Sequence, residues 1–328
     1  MRPFEYAHAA DEASALRAGA LAGTKFIAGG TNLVDLMKQE VEHPAHLLDI
    51  NGLSMSSIER VADGIRIGAL VRMSDAAAHP LVRDGFPAIS QALLLSASPQ
   101  LRNAASLGGN LMQRVRCPYF RELTWTPCNK RDPGSGCSAR EGENRMHAVL
   151  GTSEACIATH PSDFAVALAA LDGVLTIRGA GGERQVAATE FHLLPGRTPH
   201  LEHDLKAGEL ITSIHIPDAP HARRSAYLKV RDRASYEFAL TSAAGALRIE
   251  RGIIAEARLG LGGVGTIPWR AREAEVVLTG APPTADTFRS AADAAVRNPF
   301  TVPGTAFKVE LVKRTIVRML ATLAPEQP

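Results

Sequence analysis

Residues 25–40 read KFIAGGTNLVDLMKQE, and this stretch decides the fold. An apolar strand runs into a Gly-Gly turn and then into a helix on which Leu33, Leu36 and Met37 share one face. Gly29 and Gly30 let backbone N–H groups approach an anion and point at it. The helix N-terminus that follows adds partial positive charge, and Thr31 offers a hydroxyl. A glycine pair alone is ordinarily a tight turn, but a second pair follows. SLGGN at 106–110 again sets Gly-Gly between a small hydroxyl and an amide, and two such turns suit the two phosphates of one dinucleotide. Neither matches G-x-G-x-x-G or the P-loop, so a Rossmann dinucleotide site and an NTPase are both unsupported.

Working outward, Pro3 to Ala7 suits a short strand. Asp11 and Glu12 offer an N-cap and an acidic first turn to a helix, ASALRAGALAG, that ends near Gly23. LLDI at 47–50 and GIRIGAL at 64–70 read as strands, and FPAISQALLLSASPQLRN at 86–103 as one helix. Ser162 and Asp163 open a helix that Gly173 closes, 174–188 reads as a hairpin turning at Gly179 to Gly182, and the chain then reads as β-rich as far as ELITSIHIP at 209–217. Pro217, Pro220 and HARR mark a boundary. Beyond it, 227–250 and 253–265 read as long antiparallel strands, and 272–280, 284–296 and 308–323 as helices. This is an α+β pattern in two or three pieces, without internal repeats.

Apolar residues at 45% and charged residues at 21% of 328 describe a folded globular chain with core enough for more than one unit. A net charge of +2, with Lys and Arg spread along the chain, excludes a nucleic-acid-binding stripe and leaves small molecules and proteins as partners. The N-terminus lacks an apolar h-region, and no window reaches about 18 uncharged apolar residues. Neither a signal peptide nor direct membrane insertion is expected.

All four cysteines, Cys117, Cys128, Cys137 and Cys156, fall in one short span. Two disulfides are possible, although a chain of this size has core enough without them. Zinc takes four thiolates, but its usual short C-x2-4-C knuckles are absent. An iron–sulfur cluster also takes four thiolates and tolerates separated loop ligands, yet the spacing matches neither ferredoxin pattern. Spacing leaves all three open. His147 and His160 lie nearby and read as exposed loop histidines.

FIAGGTNLVDLMK, IGALVRMSD, NAASLGGNLMQ, HPSDFAVALAALDG, ELITSIHIP, YLKVRDRASYEFAL and GLGGVGTIPWRAREAE together resemble, in order and over essentially the whole chain, the FAD-binding medium subunits of the xanthine dehydrogenase and molybdenum hydroxylase family. The resemblance implies a vanillyl-alcohol-oxidase-type (PCMH-type) FAD-binding domain over 1–218, divided into 1–55 and 56–218. A small α+β carbon monoxide dehydrogenase flavoprotein C-terminal domain follows over 222–328. It places FAD on Ala28, Gly29, Gly30, Thr31, Asn32, Leu33 and Val34, on Ser106, Leu107, Gly108, Gly109 and Asn110, and on Asp163, Ile211 and Lys229. From the residues alone, those last three read as a helix-start acid, a strand core residue and a surface lysine.

Most members of that family lack the segment RCPYFRELTWTPCNKRDPGSGC. An insertion of this kind, about 114–157, is similar to that of the flavin subunits of periplasmic-type bacterial aldehyde oxidoreductases, which carry an additional 4Fe-4S cluster. The resemblance therefore implies Cys117, Cys128, Cys137 and Cys156 as cluster ligands. Arg114, Arg116, Arg121, Lys130 and Arg131 would surround them, and their positive charge would raise the cluster's potential. It further implies an electron-transfer subunit of a heterotrimer, in which a large molybdopterin subunit oxidises an aldehyde. A small 2Fe-2S subunit relays electrons, and FAD on this chain passes them to an external acceptor. The flavin subunits of 4-hydroxybenzoyl-CoA reductase and xanthine dehydrogenase are the alternatives, as is a zinc-stabilised assembly subunit. The compartment is cytoplasmic, or periplasmic by export with a signal-bearing partner.

Overall fold

Strands Glu5–His8, His46–Asp49 and Thr24–Ile27 lie side by side in that order and all parallel in the computed structural model, which describes residues 1–324. Parallel neighbours need crossovers, and the helices Glu12–Gly19 and Leu33–Lys38 supply them. Asp11 caps the first helix by accepting from the Ser14 amide at 2.7 Å. That helix ends at Gly19 rather than near Gly23. A side chain at Gly19 would meet the Phe26 ring at 2.2 Å, and Gly23, at φ +79°, turns the chain into the next strand. On the second helix Leu36 and Met37 are buried, while Leu33 is half-buried.

A second sheet is antiparallel, in the order Ile58–Val61, Gly64–Gly68, Leu210–Pro217, Val174–Gly179, Gly182–Ala187. Its apolar face packs on helices Pro87–Leu95 and Asp163–Ala170 in the largest core. The single helix expected over 86–103 is two, Pro87–Leu95 and Pro99–Ala104. Ala97 takes φ +47°, and Pro99 biases the preceding residue away from helix, so the chain breaks there and restarts with Ser98 as cap. Residues 188–209, expected to be β-rich, hold only a short helix, Ala188–Phe191, and an isolated bridge between His192 and His203.

The third sheet is antiparallel, Trp269–Arg270, Ile253–Gly262, Thr241–Glu250, Ser225–Val230. Helices Arg272–Leu278, Ala285–Ala295 and Phe307–Leu323 cover it and share its core. The long strand expected over 227–250 is interrupted, because Arg231 and Arg233 fold back onto the carbonyls of Ala234 and Tyr236 and 231–240 leaves the sheet as a loop. Helix Asp163–Ala170 is buried along its whole length. The third sheet lies directly against it: a side chain at Gly260 would sit 2.6 Å from the Val166 carbonyl. The mixed helix and sheet content is the expected α+β class. Among the described residues no helix is long and apolar enough to cross a membrane.

Candidate functional site

The first glycine segment presents free amides. Among the described residues, the backbone N–H groups of Gly29, Gly30, Thr31, Asn32 and Leu33 find no protein acceptor, whereas that of Val34 bonds the Gly30 carbonyl at 3.0 Å. Gly30 is left-handed at φ +68°, and a side chain on Gly29 would lie 2.1 Å from the Ala104 carbonyl oxygen. The segment therefore rests directly on the backbone just before Ser106. Two residues that sequence reasoning did not single out lock it there. Asn51 donates to the Ala28 carbonyl at 3.1 Å, and Arg72 donates to the Asn51 side chain at 2.8 Å and to the Ala104 carbonyl at 2.7 Å. Arg72 lies inside IGALVRMSD, so its motif was visible while its task was not.

The second glycine segment is not the open turn expected. Ser106 caps a short helix, Leu107–Leu111, and the four amides from Leu107 to Asn110 all have partners. Leu107 bonds the Val71 carbonyl at 3.0 Å, Gly108 that of Ala69 at 2.8 Å, and Asn110 that of Ser106 at 2.8 Å; Gly109 bonds the Ser106 hydroxyl at 3.2 Å. A cradle of free amides is thus confined to the first segment. Gly108 serves close packing instead, since its Cβ would lie 3.0 Å from that of Ala69. The Asn110 side chain accepts a hydrogen bond from Ser162 at 2.5 Å, which carries the site on to Asp163.

Asp163 is 6% exposed and accepts from Lys229 at 2.7 Å, Ser96 at 3.0 Å and Tyr227 at 2.5 Å. Burial, with Asp163 adding to it, pushes the Tyr227 hydroxyl well above its ordinary pKa. Lys229 is not a surface lysine: its side chain is 1% exposed, and it also donates to the Leu95 carbonyl. Ile211 is buried in the largest core, apart from the cavity that Asp163 lines.

The four cysteines, apart in sequence, line one cavity together with Tyr119, Phe120, Asn129 and Lys130. Cys128 and Cys137 face each other across an antiparallel bridge, closed by Asn129 to Gly136 at 2.6 Å and Ser138 to Pro127 at 3.0 Å. Asn129 also donates to the Ala155 carbonyl at 3.0 Å, which draws Cys156 in. Burial pushes the Cys117 thiol up to about 12 and that of Cys156 to about 11, so metal binding here must expel protons. Among the described residues no group of three or more His, Cys, Asp or Glu is arranged to hold a metal ion. All four thiols are free, and it is in donor chemistry, four sulfurs on one cavity, rather than in a preformed arrangement round one ion, that the residues suit a thiolate-bound cluster.

The cations around these cysteines do not form the positive shell expected of them. Arg114 pairs with Glu42 at 2.5 Å and Glu202 at 2.8 Å, Lys130 pairs with Glu202 at 2.7 Å, and Arg121 and Arg116 share Asp35. Arg131 caps the carbonyls of Tyr119, Phe120 and Trp125. Most of the charge is cancelled, because these groups staple the insertion to its surroundings. Nor is His147 an exposed loop residue: it is 3% exposed, with Nε2 3.2 Å from the Cys117 sulfur. A further cavity is lined by Cys117 and His147 on one side and by Ser162, Asp163 and Phe238 on the other. Arg116 stacks 4.9 Å above the Phe238 ring.

Residues 2–219 match the family described as the FAD binding domain in molybdopterin dehydrogenase, and residues 226–323 the CO dehydrogenase flavoprotein C-terminal domain. The chain belongs to the FAD-binding subunits of the xanthine dehydrogenase and molybdenum hydroxylase family, and it is an oxidoreductase subunit. Among its relatives, the aldehyde oxidoreductase FAD-binding subunit PaoB of Escherichia coli is 49% identical over 98% of each chain. The 6-hydroxypseudooxynicotine dehydrogenase complex subunit alpha of Paenarthrobacter nicotinovorans is 27% identical over 98% of this chain and 95% of that one. Its fold is that of a chain in the quinoline 2-oxidoreductase structure from Pseudomonas putida 86, with a TM-score of 0.76 at 23% identity over 98% of this chain and 97% of that one.

Proposed function

We propose that this chain is the FAD and iron–sulfur subunit of a heterotrimeric molybdenum-containing aldehyde oxidoreductase. Its partners are a large molybdopterin subunit and a small 2Fe-2S subunit, and its electrons leave to an external acceptor. Likeness to PaoB supports the aldehyde class. The observation that carries the reading is the cavity shared by Cys117 and Asp163, which sets the cysteine site and the flavin-binding acid on one space. The alternative of a zinc-stabilised loop draws on the ion pairs that staple the insertion in place.

FAD, when bound, accepts electrons singly and hands them on in pairs. The chain's part is to hold it. The amides of Gly29 to Leu33 and the Thr31 hydroxyl meet its phosphates, with Ala28 and Val34 framing them. Ser106, Leu107, Gly108, Gly109 and Asn110 support that segment from behind. Asp163, paired with Lys229, accepts from the cofactor's polar edge, and Ile211 backs the site from the core. Cys117, Cys128, Cys137 and Cys156 hold the 4Fe-4S cluster. The FAD-binding unit runs over 1–218 and the C-terminal unit over 222–328.

Iron, acid-labile sulfide and zinc per FAD in anaerobically purified protein test this. About four irons and four sulfides per FAD on this chain, as four thiolates hold in a 4Fe-4S centre, are expected. Zinc without sulfide would sink the cluster and leave the zinc-stabilised loop.

A further inference from the structure

We infer that His147 is a positioning residue for the cysteine site: it donates a hydrogen bond from Nε2 to the sulfur of Cys117 and, held in place by Lys308, raises the reduction potential of the centre bound there. This rests on the four-cysteine cluster proposed above.

The geometry is specific to one ligand. Nε2 lies 3.2 Å from Cys117 Sγ, within hydrogen-bond reach for sulfur; the backbone amides of Tyr119 and Phe120 also face that sulfur, and the Ala158 amide lies 3.5 Å from Cys156. A cysteine that ligates a metal has lost its proton and can only accept. The proton between these two atoms therefore sits on Nε2, and Nδ1 becomes the bare nitrogen. Consistently, Nδ1 is buried and finds no partner among the described residues.

The backbone that carries the imidazole is fixed from the far end of the chain. Lys308, on the helix Phe307–Leu323, is 0% exposed, and its ammonium donates to the carbonyls of His147 at 2.8 Å and Gly263 at 2.5 Å. It makes no ion pair among the described residues, and its amino group holds two backbone carbonyls. The His147 amide bonds the Asn144 carbonyl at 2.9 Å, and the next residue, Ala148, bonds that of Ile157 at 2.8 Å, beside Cys156. These bonds fix the backbone that carries the ring, and burial confines the ring itself.

The consequence is electrostatic. One-electron reduction adds negative charge to the cluster and its sulfurs, and a hydrogen bond to sulfur favours that state. With Arg114, Lys130 and Arg121 paired to carboxylates, His147 is the side-chain donor that adds to the Tyr119 and Phe120 amides at Cys117.

The test is an EPR-monitored reductive titration of the anaerobic assembled enzyme with dithionite, iron and sulfide being counted in each sample. His147→Phe keeps the ring and removes the donor. Fully loaded, it should show a more negative midpoint potential and an altered signal, and His147→Gln should recover most of the shift. A fully loaded His147→Phe with an unchanged potential overturns the inference. Should that variant not load, pulsed EPR on the reduced wild type carrying imidazole-labelled ¹⁵N-histidine decides: a weak histidine nitrogen coupling supports the bond, and its absence overturns it. Failure of the cluster reading is separate, since the wild type would then lack iron and sulfide.

Discussion

Gly29 has no room for a side chain. Its Cβ would lie 2.1 Å from the Ala104 carbonyl oxygen, and that oxygen is held by Arg72 and cannot yield. Gly29→Ala must push the amide-bearing segment off the backbone before Ser106, an overpacking cost of roughly 1–3 kcal/mol. If those amides hold FAD, that cost appears as affinity, roughly 5- to 150-fold weaker binding. The flavin absorbance retained per protein after gel filtration should fall accordingly, and retention of full FAD would separate this segment from the cofactor. Asp163 and Lys229 illustrate the opposite case. As sequence they are an acid at a helix start and a lysine in a strand, and only contact makes them a buried pair.

The insertion is the element whose stability depends most on charge. Glu202 ties Arg114 and Lys130 together. Burial alone would raise its pKa, but Lys130 and Arg114 outweigh that and hold it below its ordinary value of 4.5. A carboxylate depressed in this way stabilises the fold above the ordinary value, and the contribution is lost as pH falls through the lower folded value. Protection factors in residues 114–157, corrected for intrinsic exchange at each pH, should therefore stay high at neutral pH and fall as pH drops below about 4.5. Glu202→Gln should show fast exchange there already at neutral pH, with little further change on acidification. A wild type whose insertion keeps the same protection factors at both pH values would show that the network does not hold the element.

For the whole molecule, the insertion joins parts that are distant in sequence. On one side it meets Asp35 and Glu42. On the other, Asn144 accepts from the Gly304 amide at 3.0 Å, Phe300 and Val302 pack against Tyr119, Ala139 and Ile157, and Lys308 reaches the His147 carbonyl. The FAD segment at Gly29 to Leu33 meets the insertion at its edge, where the Asn32 side chain accepts from the Arg114 amide at 2.9 Å, away from Cys128. Cys128→Ser should therefore leave FAD content unchanged while lowering the melting temperature and speeding hydrogen exchange in residues 298–308. Loss of FAD together with the cluster would mean that the two sites are not separable.

Much was legible in the residues themselves. The parallel opening unit follows from an apolar strand, a glycine pair and a helix face in KFIAGGTNLVDLMKQE, because local periodicity alone dictates that order. The family, and with it FAD, is legible in motif order along the chain. What could not be read were features that depend on partners distant in sequence. SLGGN looks like an open turn, but its amides are taken by Ala69, Val71 and Ser106. The arginines near the cysteines look like a positive field, yet carboxylates at Asp35, Glu42 and Glu202 cancel most of it. His147 looks like a loop residue and is buried against Cys117. The sequence by itself determined the elements, their order and the chemistry of the side chains, since those depend on neighbours along the chain. Only the tertiary structure decided which polar groups remain free and which charges survive, because hydrogen bonds and ion pairs are satisfied by whatever the fold brings within about 3 Å.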